Sequence, residues 1–187
     1  MSVSEKFFLD RKAAVLVVID VQEKLCKAMD STILDTLLDN ISLLLETALT
    51  LEIPVIATEQ YTRGLGETVS MLREKLPDPA IEKMSFSCCG NQAFLEKLSS
   101  LGRRQVIITG MEAHVCVLQT VVELLDNGFH VHLVNDAVIS RKKDNRKGGV
   151  AMAAAAGAVI TSTEAAMFQL LRVAGTDEFK KLSKLVR

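Results

Sequence analysis

The stretch "AAVLVVID", residues 13–20, is an unbroken apolar run, rich in β-branched side chains, that ends on an acid. A strand with one wet face alternates apolar and polar residues, whereas a strand covered on both faces of a parallel sheet needs a continuous apolar run. The next segment agrees with the second case. In "TILDTLLDNISLLLETALTLE" (32–52) the leucines recur at helical spacing, Asp30 or Ser31 stands where an N-cap belongs, and Pro54 opens a second apolar run, "PVIAT" (54–58). Strand, helix and strand in that order form a βαβ unit, so the chain is predicted to be an α/β protein on a mostly parallel sheet.

The alternation continues along the chain. "IEKMSFS" (81–87) reads as a short third strand, and Asn91 is placed to cap the helix "QAFLEKLSSL" (92–101). "RQVIITG" (104–110) is a fourth strand, the helix "VCVLQTVVELLDNG" (115–128) stops at Asn127-Gly128, and "FHVHLVND" (129–136) is a fifth strand ending on an acid. The helix "RKGGVAMAAAAGA" (146–158), a sixth strand "VITS" (159–162) and a last helix opening at Thr163 and Glu164 complete the pattern. No linker, repeat or low-complexity tract intervenes, so residues 1–187 are expected to form one domain.

Composition narrows the partners. With 22 basic and 23 acidic residues, the chain has no broad positive surface to neutralise a nucleic-acid backbone, and a small-molecule substrate is expected instead. The longest apolar runs fall short of the roughly 20 residues that cross a bilayer, and "MSVSEKFFLDRK" lacks the apolar core of a signal peptide. No membrane partner and a cytoplasmic location are therefore expected. Cys26, Cys88, Cys89 and Cys116 form no CxxC pair and are expected to be free thiols.

In open parallel sheets ligands bind beyond the carboxyl ends of the strands, which would bring Asp20, Thr58 to Tyr61, Lys83 and the 110–116 segment to one crevice. Within "ITGMEAHVCVLQTVVELL" (108–125), Cys116 falls in the first turn of the helix after a central strand. Unpaired N–H groups and the helix dipole there favour an anion, so the thiol is expected to ionise nearer neutrality and to react before the other cysteines. Asp20 would take the thiol proton and Lys83 would supply a fixed positive charge, which together make a set for nucleophilic catalysis.

Three segments carry a family resemblance. "VLVVIDVQEKL" around Asp20, "EKMSFSCCGN" around Lys83 and "ITGMEAHVCVLQT" around Cys116 resemble the signature segments of the isochorismatase-like cysteine hydrolases. "ATEQYTRGLGET" (57–68) resembles their divergent isochorismatase-domain-containing branch, and the likeness runs over roughly residues 12–174. The resemblance implies a three-layer αβα, Rossmann-like fold of about six strands and a catalytic triad of Asp20, Lys83 and Cys116. It also implies a cis peptide between Met111 and Glu112 that turns the Glu112 N–H toward that of Cys116 to form an oxyanion hole, with the Glu112 side chain incidental. Gln60, Tyr61 and Phe86 are candidate walls of the substrate pocket, Gln22 is placed to orient Asp20 or shape its loop, and His114 stands either to line the pocket or to pack. The family also suggests a homo-oligomer.

Departures from the family pattern refine this. Nicotinamidases of the superfamily carry an Asp-x-His and more histidines for a metal after the second strand, whereas this chain has "TEQYTRG" there and only His114, His130 and His132. No metal of that kind is expected. "GLG" (64–66) lacks the third glycine of a dinucleotide fingerprint, so no cofactor is expected either. Isochorismatases proper lack the cysteine nucleophile, and retention of Cys116 points to cleavage of a small amide or related acyl compound. Plainer readings stand beside these. Cys88 and Cys89 fit core or pocket-lining filler, His130 and His132 fit satisfied structural imidazoles on one strand face, and "RKKDNRK" (141–147) fits a solvated loop or, on thinner support, a mark of an anionic partner. The alternatives at the level of function are a catalytically idle member acting as an interaction protein and a redox-active thiol protein.

Overall fold

The computed structural model describes residues 2–186, so the two ends of the expected 1–187 domain lie outside the described residues. Six strands form one parallel sheet: β1 (Ala14–Ile19), β2 (Val55–Gln60), β3 (Ile81–Lys83), β4 (Gln105–Met111), β5 (His130–Ile139) and β6 (Val159–Thr161). Their order across the sheet is β3-β2-β1-β4-β5-β6, with β1 and β4 central.

The run that decided the fold works as its pattern requires, since every residue of β1 is buried. Leu16 and Val18 join Ile41, Leu44 and Leu45 of helix Ser31–Thr50 and Met167 of helix Thr163–Leu171 in one core. Val15, Val17 and Ile19 point the other way, onto Phe94 of helix Gln92–Ser100, Val121 and Leu124 of helix Leu118–Asp126, and Ala153 of helix Lys143–Ala156. This is the three-layer αβα arrangement. Cutting a fully buried side chain such as Ile41 or Phe94 to alanine would cost about 2–5 kcal/mol.

Caps set the helix starts. Asp30 accepts from the Thr32 N–H and Asn91 from that of Phe94, and the last long helix opens at Thr163 behind the cap Ser162. Four short helices carry no periodic signal in the sequence: Val3–Phe7, Glu23–Cys26, Thr62–Leu65 and Asp177–Leu182. At four to six residues they are too short to show a helical repeat. The fifth strand also runs past its expected stop at Asp136 to Ile139. Its register against β4 shifts between Ile108 and Gly110, and there the Asp136 carboxylate accepts from the N–H and hydroxyl of Thr163. Beyond the irregularity Ile139 pairs with Met111, so Ser140 and Arg141 emerge beside the end of β4.

Gly110 makes the central contact possible. It has φ 112°, and a Cβ there would lie 2.0 Å from the Ile19 carbonyl oxygen, so only glycine lets the end of β4 lie this close to β1.

Candidate active site

Asp20 follows β1 directly and takes the left-handed conformation, φ 52°, a cost of about 1–2 kcal/mol for a residue with a side chain. The carboxylate stays inside the protein, with no exposure. Its Oδ1 accepts the Thr58 hydroxyl at 2.8 Å and its Oδ2 accepts Lys83 Nζ at 2.7 Å. Thr58 is the β2 residue paired with Ile19, so sheet register delivers this partner.

Lys83 ends β3 and is 1% exposed. Besides Asp20, its Nζ lies 2.7 Å from Gln60 Oε1, 2.9 Å from the Phe86 carbonyl and 3.2 Å from the Ser85 carbonyl. An ammonium carries three protons, so four acceptors leave none for a substrate, and Lys83 is a fixed positive charge. Gln60 is held in turn. Its Nε2 donates to the Met84 carbonyl at 2.8 Å, its N–H donates to Gln22 Oε1 at 2.8 Å, and Gln22 Nε2 donates to the Gln60 and Gly66 carbonyls. The sequence offers Gln22 as an orienter of Asp20 or a shaper of its loop and Gln60 as a pocket wall; Gln22 ties loop backbone, and the Gln60 side chain holds the lysine and the Met84 carbonyl.

The Met111–Glu112 peptide is cis. Immediately after it the chain makes a π-helical turn, Ala113–Val117, in which the Val115 and Val117 N–H groups both donate to the Glu112 carbonyl, at 3.0 and 3.3 Å. Sequence periodicity cannot distinguish such a turn from the α-helix expected from residue 115. Gly149 of the Lys143–Ala156 helix packs against this turn, where a Cβ would lie 2.7 Å from the Ala113 carbonyl oxygen. Cys116 sits in the turn, 6% exposed, and its carbonyl accepts the Thr120 hydroxyl at 2.7 Å.

The expected easy ionisation of Cys116 is corrected by this environment. Burial, followed by the negative charge of Asp20, pushes the thiol far above its ordinary range, and the opposing pull of Lys83 is smaller. The resting group is therefore a neutral thiol beside a carboxylate. Cys26 and Cys88 are pushed up to about 11 and Cys89 to about 12, each chiefly by burial, so a general order of thiol reactivity does not follow from helix position. Cys88 is the nearest of the three to the chemistry, its Sγ 3.7 Å from the Thr58 hydroxyl and its N–H donating to Thr120 Oγ1.

The Glu112 side chain is not incidental. It is 6% exposed, and its carboxylate accepts the Arg141 N–H at 2.9 Å and Arg141 Nε at 3.2 Å to each oxygen. The His114 ring bridges Ser140 Oγ (3.0 Å from Nδ1) and Asn145 Nδ2 (3.1 Å from Nε2). These two contacts make His114 a tie between the π-turn and the segment after β5. Tyr61 adopts φ 39° with its ring against Gly64, and lines an open groove with Arg63, Met84 and Asn91. Phe86 contributes its carbonyl to Lys83 while the residue stays 55% exposed. His132 also differs from expectation, because it is fully buried with neither ring nitrogen partnered. Among the described residues no three His, Cys, Asp or Glu side chains converge as a metal site.

Residues 14–165 match the family described as the isochorismatase domain. The chain belongs to the isochorismatase family. Isochorismatase relatives align along nearly its whole length. The chain is 38% identical over 180 residues to the secreted isochorismatase effector Isc1 of Phytophthora sojae, spanning 94% of this chain and 85% of the relative. Isochorismatase domain-containing protein 2 of Danio rerio is 35% identical over 179 residues, spanning 95% and 89%. The structure of MAR1 ribonuclease from Caenorhabditis elegans superposes with a TM-score of 0.89 at 36% identity, covering 96% of this chain and 92% of that one. Membership of the isochorismatase family makes this a hydrolase fold. No helix among the described residues is long and apolar enough to cross a membrane.

Sequence reasoning does not connect Ser140, Arg141 and Asn145 to the Glu112–His114 turn, which all three reach. Arg141 lies within the charged run assigned to solvent, and no local pattern marks a partner 29 residues away.

Proposed function

We propose that the chain is a cysteine hydrolase of small amides or related acyl compounds. The observation that carries this is the Asp20–Lys83 ion pair, both side chains 0% exposed, set beside the buried Cys116 in the turn after β4. Asp20 takes the Cys116 proton as sulfur attacks the carbonyl carbon, and the negative oxygen rests on the Glu112 and Cys116 N–H groups. Protonated Asp20 gives its proton to the leaving amine as the C–N bond breaks, which leaves a thioester. Asp20 then deprotonates a water that attacks the thioester, and Cys116 departs and recovers its proton. Lys83 keeps its proton throughout and holds Asp20 in place. A thiol that stays protonated until substrate arrives suits this sequence, because proton transfer accompanies attack.

The test is a panel of small amides, ureides and vinyl ethers followed by ammonia release, with intact-mass detection of an acyl adduct on Cys116. Turnover should vanish in Cys116→Ala. Full turnover by that variant would end this proposal.

The relative named a ribonuclease suggests RNA cleavage as a second reading. The near balance of 22 basic and 23 acidic residues favours a small substrate over a polyphosphate, and RNA belongs in the same panel. The redox alternative draws support from the nearness of Cys88 to the site, but raised thiols are poor substrates for peroxide. Disulfide mapping after peroxide treatment separates it from hydrolysis. A wild-type protein that turns over nothing in the panel would favour the idle member. We also propose self-association through the outward face of helix Lys143–Ala156, where Ala151, Ala155 and the 61%-exposed Met152 lie uncovered, to be measured by light scattering.

A further inference from the structure

We propose that Thr58 is a positioning residue for Asp20, and that the Cys88 thiol fixes the hydroxyl through which Thr58 acts. The inference rests on the hydrolase reading of the site and adds to it a chain of donors behind the base.

The protons behind Asp20 can be counted. An ionised carboxylate only accepts, so the 2.8 Å contact to Asp20 Oδ1 takes the one proton of the Thr58 hydroxyl. The same hydroxyl oxygen lies 3.7 Å from Cys88 Sγ, and with its proton spent it can only accept there. Cys88 is therefore the donor, and the buried chain runs from Cys88 S–H to Thr58 O–H to the Asp20 carboxylate. Burial pushes that thiol up to about 11, in keeping with a thiol that holds its proton at neutral pH. Each link stands on a fixed backbone. The Thr58 carbonyl accepts the Asp20 N–H at 3.1 Å, so Thr58 holds this left-handed residue by main chain and side chain together. Cys88 opens the short turn Cys88–Gly90 with its N–H on Thr120 Oγ1 at 2.9 Å, and Ser87 before it donates to Glu123 Oε2 at 2.7 Å.

A carboxylate held at one oxygen can still turn about its Cβ–Cγ bond, whereas donors on both oxygens fix its plane. Lys83 holds Oδ2 and Thr58 holds Oδ1, which keeps a free lone pair turned toward the Cys116 sulfur. Lys83 cannot take over the second oxygen, because its three protons already meet four acceptors. Cys116 cannot hold it either, since its hydrogen bond to Asp20 is the one surrendered when sulfur attacks. Shape separates this role from plain core packing. Thr58→Val keeps the volume and removes the hydroxyl, and Thr58→Ser keeps the hydroxyl and removes a methyl group. Were packing the whole role, the valine change would be harmless and the serine change would be the costly one.

The test pairs infrared spectra with steady-state kinetics on the full chain. The S–H stretch of Cys88, assigned as the band lost in Cys88→Ala, is expected at the lowered frequency of a hydrogen-bonded thiol. With no substrate present it should move up in Thr58→Val and stay in place in Thr58→Ser. On any amide that the panel finds, Thr58→Val should lower kcat about 10- to 100-fold, the usual worth of one hydrogen bond to a charged group. KM should stay within about threefold, because the buried hydroxyl does not reach the substrate, and Thr58→Ser should recover most of the lost kcat. Melting temperatures show which variants are folded, and the position of the band in the parent needs no variant of Thr58. A parent band at the free-thiol frequency, a band that Thr58→Val leaves in place, or an unchanged kcat in that variant would each overturn the proposal. The two readings fail separately. A parent that hydrolyses nothing while the band shifts as expected removes the hydrolase and leaves the chain of donors, whereas hydrolysis without the shift does the reverse.

Discussion

The Asp20–Lys83 pair and His132 are both buried in this protein, which treats them in opposite ways. At the carboxyl edge, Asp20 and Lys83 are charged and surrounded, with a hydroxyl on one carboxylate oxygen and four acceptors around one ammonium. Within β5, His132 has no partner on either nitrogen, and burial lowers its pKa to about 4. The first environment keeps charge inside the protein, and the second excludes it. Burial is common to both, so the surrounding donors and acceptors decide whether a buried group can be charged.

The strongest way to break the comparison is to remove charge from the Asp20–Lys83 side. Asp20→Asn should lower turnover about 10²- to 10⁴-fold, the usual cost of losing a positioned base, in steady-state assays on any substrate found. Lys83→Met leaves the Asp20 carboxylate buried beside Thr58 without its cation and should cost about 3–5 kcal/mol in denaturant unfolding. The double variant Asp20→Asn/Lys83→Met should regain much of that stability and none of the activity. If the single lysine variant unfolds like the parent, the ion pair does not carry the weight assigned to it.

The His132 side can be sharpened by pH. Its folded pKa lies below the ordinary value of 6.5, so below that pH the unfolded chain takes up a proton that the folded one refuses. Stability should therefore fall as pH drops from about 6.5 to about 4 and then level off, with His132 contributing on the order of 3 kcal/mol to the loss. His132→Leu should flatten that part of the profile and leave stability unchanged or raise it by about 1–2 kcal/mol at neutral pH, because two unsatisfied nitrogens disappear. An acid profile identical in parent and variant would rule His132 out as its source. The smallest effect is expected at the other buried acid. Glu112→Gln keeps an acceptor for Arg141 and leaves the backbone N–H in place, so it should cost about 1 kcal/mol in stability and retain most turnover. A loss as deep as that of Cys116→Ala would make Glu112 the base and displace Asp20 from that role.

Much of this architecture is legible in short stretches of sequence. The strands 14–19 and 105–111 are marked by apolar runs, the long helix 31–50 by leucine spacing and Asp30, and the helix 92–100 by Asn91. The candidate triad is accessible as well, because each member ends or follows a strand and the carboxyl ends of parallel strands share an edge. The shells around it are not. Gln60 reads as a pocket wall until the fold shows its side chain spent on Lys83 and the Met84 carbonyl. Arg141 reads as a solvated cation until the resumed pairing of β5 sets it on Glu112.

The chain by itself determined the order of strands and helices, the faces they bury and the family to which its motifs belong, because these depend on the local run of side chains and on covalent order. Tertiary structure alone decided that Cys116 rests as a neutral thiol, that Lys83 has no proton to spare, that His132 is buried without a partner and that Glu112 is held by Arg141. Each of these depends on burial and on distances between residues far apart in the chain. Such quantities exist only once the sheet has formed and brought its strand ends together.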